Sequence, residues 1–305
     1  MEIYYQGKNI SRVVNITKCI HRDVASGRAD SLEIEFDHAA AWFSWEPEKD
    51  DTIQVVNGSY DTGRLYLNTI LPQGDHYRII ATSLPSLAAR RAWFSFENAT
   101  LEDILNRCSA ECGMKYKLYG VDGRIRYAYI LRRNEGCAAL LNRLAQWEGL
   151  FLKAYNGVFR AIGMEYAQDQ EPVQRITATP DQDGIRYTRQ ENGSYAALTV
   201  STPYAQATAK DAARAGGITK IITDIPARNA AEAGRWARGM LKHTNRAAET
   251  LTIASAFNPR MSALARVNVA GNTDATGEWI AEDVTQDIKE GRTTATLRRV
   301  MTGIS

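Results

Sequence analysis

A chain of 305 residues is long enough for two or three domains, each with its own core. A charged fraction of 24% beside an ordinary apolar share excludes a disordered or fibrous protein, and a net charge of +2 makes no global demand for nucleic acid or an anionic membrane. The opening MEIYYQGKNI has an acid at position 2 and no apolar run, so no signal peptide is expected, and no window approaches the ~20 apolar residues of a membrane span.

Four cysteines in a chain of this length fit reduced, buried thiols better than a disulfide framework. The sequons at Asn9-Ile10-Ser11 and Asn15-Ile16-Thr17 then carry no weight.

In chain order, Ile10, Val13, Val14 and Ile16 read as an opening strand. LEIEF follows, with Leu32, Ile34 and Phe36 on one face and Glu33 and Glu35 on the other. Ala39 to Trp45 reads as a short helical turn, and DTIQVVNG as a strand ending at Gly58. DTGRLYLNTI turns at Gly63, a polar turn holds Gly74, and HYRIIATSL is the last strand. Pro85 then stops the pairing and Leu87–Arg91 crosses over, which closes a first β unit over residues 1–95.

From Thr100 the period changes. Thr100 caps a helix with Asp103 in its first turn; Leu101, Ile104, Leu105, Cys108 and Cys112 share its apolar stripe, and Gly113 ends it. MKYKLYGVDGRIRYAYI reads as a hairpin turning at Asp122-Gly123. The plan repeats: Asn134 caps a helix carrying Cys137, Leu140, Leu141 and Leu144, Gly149 ends it, and LFLKAYNGVFRAIG turns at Asn156-Gly157. Two helix–hairpin units make a small α+β domain over residues 96–168.

Residues 169–305 read as a second β domain with a helical insertion at about 204–247. Ala205–Ala215 is an alanine-rich helix or linker broken by Gly216-Gly217. Asn229 with Glu232 starts a helix whose face Ala233, Trp236, Ala237, Met240 and Leu241 has to be buried somewhere. Trp236 and Met240 are therefore candidates for a subunit interface, beside the simpler reading that they pack on their own barrel.

Residues 251–300 repeat the plan of residues 32–84. LTIAS answers LEIEF, Pro259 answers Pro47, and LARVNVAG ending at Gly271 answers DTIQVVNG. ATGEWIAEDV around Gly277 answers DTGRLYLNTI around Gly63, and Gly291 answers Gly74. The expectation is a mainly β, α+β chain: two antiparallel β-barrels flanking the helix–hairpin domain, with Gly58, Gly63, Gly113, Gly123, Gly149, Gly157, Gly271 and Gly277 as structural turns.

Motifs for chemistry are missing. Cys19-Ile20-His21 and the Cys108/Cys112 pair lack the second cluster a structural zinc needs, so core thiols are expected and no metal. His21, His38, His76 and His243 stand in unrelated contexts, without H-E-x-x-H or G-x-S-x-G. The adjacent acids Asp50-Asp51, Glu102-Asp103 and Glu282-Asp283 fit solvated turns or helix starts. The basic pairs Arg90-Arg91, Arg132-Arg133 and Arg298-Arg299 read as solvated faces rather than a stripe for a polyanion. No catalytic, metal or cofactor residue is assigned.

SLPSLAARRAWFSFENATLEDILNRCSAECGMKYKL, LLNRLAQWEGLFLKAYNGVFRAIG and the closing G-x-W-I-x-E-D-V-x-Q-D-I-x-x-G-x-x-T-x-L-x-R-V together resemble the baseplate hub proteins of contractile phage tails and tail-like particles, the late-control D type. The resemblance implies two tail-tube-like barrels per chain and a homotrimer forming a pseudo-sixfold ring. It implies the tube or tube-initiator protein on one side, a central threefold spike on the other, the tape-measure protein nearby, and DNA only as passing cargo. It also implies assembly in the bacterial cytoplasm, followed by a place in the baseplate of a virion or tail-like particle. The sequence departs from the family in carrying no lysozyme or peptidase region and no spike repeats. The other readings are a tail-associated peptidoglycan hydrolase with a dispersed carboxylate or Cys–His site, and a toroidal nucleic-acid-binding protein.

Overall fold

Alternation builds the first part of the chain. In Ser31–Asp37 the buried residues are Leu32, Ile34 and Phe36, with half-exposed residues between them. The computed structural model describes residues 1–37, 46–178, 184–190, 192–271 and 273–305; the helical turn expected at Ala39–Trp45, and His38, lie outside them.

The first unit comprises β1 (Glu2–Tyr5), β2 (Lys8–Asn9), β3 (Asn15–Val24), β4 (Ser31–Asp37), β5 (Thr52–Asn57), β6 (Tyr60–Asp61), β7 (Leu65–Gln73) and β8 (His76–Thr82). Pairing runs β3-β4-β8-β7-β5-β1, antiparallel at every step. The opening strand is β1 and not the segment around Ile10. Ile10 sits in a turn, its N–H donating to Ile3 O at 2.8 Å.

A 3-10 turn at Ser86–Ala89 leads to β9 (Ala92–Thr100), α1 (Leu101–Glu111), β10 (Lys115–Tyr119), β11 (Arg126–Glu135), α2 (Cys137–Glu148), β12 (Leu150–Tyr155), β13 (Val158–Gly163) and the short α3 (Met164–Gln168). Thr100 and Asp103 cap α1 reciprocally in a capping box. The hairpin expected at Asp122-Gly123 does not form. The start of α1 claims that turn, since Leu101 N donates to Ile125 O at 2.8 Å and Glu102 N to Gly123 O at 3.0 Å. The chain is thereby sent back along β9: β11 pairs with β9, and β10 pairs in parallel with β13. Asn134 is not a cap either. It occupies a left-handed position in a β-bulge, and α2 begins after Gly136.

The rest comprises β14 (Gln174–Ala178), β15 (Ile185–Arg189), β16 (Ala197–Ser201), β17 (Gln206–Lys210), β18 (Thr219–Ile222), α4 (Ala230–Asn245), β19 (Glu249–Ala256), β20 (Arg266–Gly271), β21 (Gly277–Asp287) and β22 (Arg292–Arg299). The alanine-rich segment is not a helix. It forms β17 and a 3-10 turn at Ala212–Arg214, because α4 packs on β16 and β17 and the small side chains fit beneath it.

Order β15-β19-β22-β21-β20-β14 repeats β3-β4-β8-β7-β5-β1 strand for strand; only the last pair differs, β14 running parallel to β20. The repeat extends to irregularities. Both β7 and β21 bulge just after the fourth residue beyond their glycine, between Leu67 and Thr69 and between Ala281 and Asp283. Asp50 and Leu264 both adopt φ 70° and bond the residue before the bulge, Asp50 N to Leu67 O and Leu264 N to Ala281 O, each at 2.8 Å. A bulge adds twist at one chosen place, so two bulges in register mark one design used twice.

The two units are not separate closed barrels. The second part of β21 pairs with β3, from Asp283↔Val24 to Asp287↔Ile20, and fuses both units into one 14-stranded sheet that closes nowhere among the described residues. β21 is long enough to serve β20 with its first residues and β3 with its last. The chain is mainly β, with separate cores under each half-sheet and a third beneath α1, α2 and α4. Thus α4 joins the core of the middle elements and not that of the second half-sheet.

Candidate functional site

The seam between β3 and β21 is where both half-sheets meet the middle elements. Asp23 lies on β3, Asp30 in the turn before β4, and Lys153 on β12; their exposures are 6%, 3% and 9%. Lys153 Nζ donates to Asp23 Oδ1, to Asp30 Oδ2 at 2.8 Å and to Val24 O at 3.2 Å. Asp23 Oδ2 accepts from Ala263 N at 3.0 Å, which brings in the second half-sheet. One ammonium thus ties both half-sheets to the middle layer.

Burial opposes each of these charges. For Lys153 the two carboxylates outweigh burial and hold its pKa above the ordinary value. For Asp23, burial is outweighed by the ammonium, so its carboxyl lies below the usual range. Burial prevails at Asp30, with the neighbouring Asp23 charge adding to it, and pushes its pKa up to about 6. Beside them His21 is buried with Nδ1 at 2.6 Å from Tyr60 Oη, and burial pushes its pKa down to about 4. The imidazole is therefore neutral near pH 7 and shares one hydrogen bond with the phenol.

A second ionic cluster sits further along the seam. Glu282 occupies the bulge of β21, and its backbone carbonyl accepts from Ala25 N at 2.8 Å. Its carboxylate lies 2.9 Å from Nε of the fully buried Arg298, close enough for an ion pair but out of line for a hydrogen bond, and 3.5 Å from Arg246 Nε. The Arg298 guanidinium stacks over Phe151 of the middle layer at 5.0 Å. Arg298, half of a basic pair expected on a solvated face, is thus core. So is Arg132, which bonds Glu111 Oε2 at 2.6 Å, Glu135 O at 2.8 Å and Arg90 O at 2.6 Å. All four cysteines are free and buried.

Among the turn glycines, Gly58, Gly63, Gly113, Gly149, Gly157, Gly271 and Gly277 have positive φ and Gly123 does not. Gly63 and Gly157 come together although they belong to different parts of the chain. A Cβ on Gly63 would stand 3.0 Å from the Tyr155 ring, and one on Gly157 2.3 Å from Arg64 Nη2. Arg64 N donates to Asn156 Oδ1 at 3.4 Å, so the β6–β7 turn rests on the β12–β13 hairpin.

Trp236 is fully buried within the chain. It lies 4.8 Å from the Trp147 ring and 6.4 Å from the Tyr127 ring, and its Nε1 donates to Glu148 Oε1 at 2.7 Å. It leaves no surface for a second subunit, and what covers it is α2 and β11, not its own half-sheet. Met240 is half-buried beside the same core. Gly239, which sequence reasoning passed over, makes this packing possible: a Cβ there would meet Trp147 O at 2.1 Å and Gly149 N at 2.4 Å. A glycine inside a helix, which weakens it by about 1 kcal/mol against alanine, was the available signal. Sequence reading also missed Asp23, Asp30 and Lys153, which lie far apart along the chain and match no motif.

The buried histidines set a pH dependence. His21 and His243 are both held down to about 4, chiefly by burial, against an ordinary 6.5. Between those values the unfolded chain binds protons that the folded chain does not, so each costs stability as pH falls from 6.5 to about 4. Asp30 acts in the opposite sense between about 6 and 3.8, where the folded chain binds the extra proton. Taken together, these three groups are expected to cost the fold on the order of 2 kcal/mol between pH 7 and pH 5. Urea melts at the two values check this, and His21→Asn should flatten the slope; an unchanged slope in that variant would rule out His21 as a cause.

No protein-family model and no curated protein matches the sequence. Solved structures do match the fold. The 43 kDa tail protein of prophage MuSo2 from Shewanella oneidensis is 14% identical, with 99% of each chain covered and a TM-score of 0.74. A tail protein from Neisseria meningitidis MC58 is 12% identical over 98% of this chain and 95% of its own, at a TM-score of 0.76. The Escherichia coli c3393 protein, described as a type VI secretion component similar to bacteriophage T4 tail proteins, is 13% identical over 97% of this chain and 76% of its own, at 0.63. Over nearly its whole length, this chain has the fold of phage tail proteins.

Proposed function

We propose that the chain is the structural hub of a contractile tail or tail-like particle. Three copies form a pseudo-sixfold ring between a sixfold tail tube and a threefold central spike. The domains in this reading are residues 1–95 and 169–305, each supplying one ring unit, and residues 96–168 between them. The partners are further copies of the chain, the tube or its initiator, the spike and the tape-measure protein. The role is architectural and the particle's baseplate is its place.

The observation that carries this reading is the doubled half-sheet. One strand order, one bulge position and one left-handed residue recur in a single chain. Two like units per chain turn a threefold assembly into a ring with six like positions. The likeness to tail proteins of Shewanella and Neisseria supports the setting.

Light scattering on the purified chain, with negative-stain class averages of the same peak, tests it. A trimer whose averages show a sixfold-looking ring is expected. A chain that stays monomeric at every concentration, or closes as a twofold dimer, would refute the ring.

A further inference from the structure

We infer that the ring closes through a second strand junction, in which the outer edge of β7 in one copy pairs antiparallel with the outer edge of β15 in the next. This rests on the proposed ring and names the surface that forms it.

The template is the seam inside the chain. Ala25 N donates to Glu282 O and Ile288 N to Cys19 O, at 2.8 and 2.9 Å, so alternate residues of β21 and β3 present their backbone groups to each other. By the internal repeat, β7 is the counterpart of β21 and β15 the counterpart of β3. Yet β7 meets β5 only at Leu65 and Tyr66, apart from the Leu67 backbone bonds to the Asp50-Asp51 turn. From Thr69 to Gln73 its edge away from β8 carries no ladder among the described residues. Among the described residues β15 pairs only with β19; Ala254 N donates to Gly184 O and Gln190 N to Ala248 O, which turns the backbone groups of Ile185 and Tyr187 to the opposite side.

The two vacancies are complementary. Each edge lacks the kind of strand that the other edge offers, and both lie on one chain. The contact they make is therefore head to tail, which excludes a twofold dimer and gives a ring where the rotation from copy to copy closes. Side chains agree: Ile70 is half-buried and Leu71 is 39% exposed on this edge, whereas Val284, the counterpart of Ile70 in the completed seam, is fully buried. An open edge with apolar side chains is one that awaits a partner.

Transposing the seam's register sets Leu71 opposite Thr188 and Pro72 opposite Tyr187. Pro72 stands where Gln286 donates to β3, so the junction between chains has one hydrogen bond fewer than the seam within them.

Leu71 and Thr188 form a non-hydrogen-bonded pair in this register, about 4.5 Å apart at Cα and within reach of a disulfide. The test is air oxidation of Leu71→Cys/Thr188→Cys, run on non-reducing gels beside light scattering. Both positions are exposed and the native cysteines buried, so the fold and the background are undisturbed; reduced samples melting like the parent check this. Loss of most of the monomer band to covalent dimers and trimers is expected. The off-register pair Leu71→Cys/Arg186→Cys should keep its monomer band. The in-chain pair Thr285→Cys/Arg22→Cys should crosslink only within monomers. A native trimer whose on-register pair crosslinks no more than the off-register one would overturn this junction and leave the ring standing. A monomer with no crosslinks would overturn both.

Discussion

Lys153→Met is expected to destabilise the chain by about 3–5 kcal/mol at neutral pH, the cost of removing one partner from a buried ionic cluster. Methionine keeps the length of the side chain, so packing on β12 changes little. What is lost is the ammonium that bonds both Asp23 and Asp30, two buried carboxylates. Two carboxylates left side by side at the seam cannot both stay ionised, and Asp30, already raised to about 6, takes a proton first. The deficit should therefore shrink at acid pH, and a triple variant adding Asp23→Asn and Asp30→Asn should recover most of it. Urea unfolding at pH 7 and 5 reads both effects. A loss below about 1 kcal/mol would mean the cluster is no tie between the parts.

Trp236→Ala is expected to cost about 3–5 kcal/mol, as large aromatic truncations in a closed core do. The indole fills the space between Trp147 and Tyr127, and its N–H satisfies Glu148, which would keep its contact with Arg235. The loss should be the same in an isolated monomer as in an assembled particle, because the contacts are within one chain. Unfolding midpoints measured on both forms decide this. Loss of assembly at unchanged monomer stability would put the face of α4 back at a subunit boundary.

Much of the fold could be read from period and punctuation. The twofold alternation of LEIEF and LTIAS became β4 and β19, and Thr100 with Asp103 started α1 as its chemistry demands. The internal repeat was legible through Gly63 and Gly277, and it proved deeper than its letters, since Asp50 and Leu264 share a left-handed backbone with no likeness in side chain. Pairing partners were not legible. Asp122-Gly123 has the residues of a hairpin, but helix capping outbid the hairpin for the same carbonyls, a competition decided in three dimensions. The seam was hidden for a related reason. Nothing local says whether β21 returns to its own unit or crosses to β3. Lys153, Asp23 and Asp30 are ordinary surface residues until that crossing buries them.

Covalent linkage of the two half-sheets has a consequence in counting. Whatever ring such chains close must hold an even number of units, and its junctions must alternate between a seam made by folding and one made by encounter. The middle layer occurs once for each pair of units, so everything it carries recurs at half the frequency of the sheets. A surface built on the sheets can therefore repeat six times around an axis while one built on the middle layer repeats three times, with no change of sequence between copies. The ratio of two would be written into the length of one polypeptide.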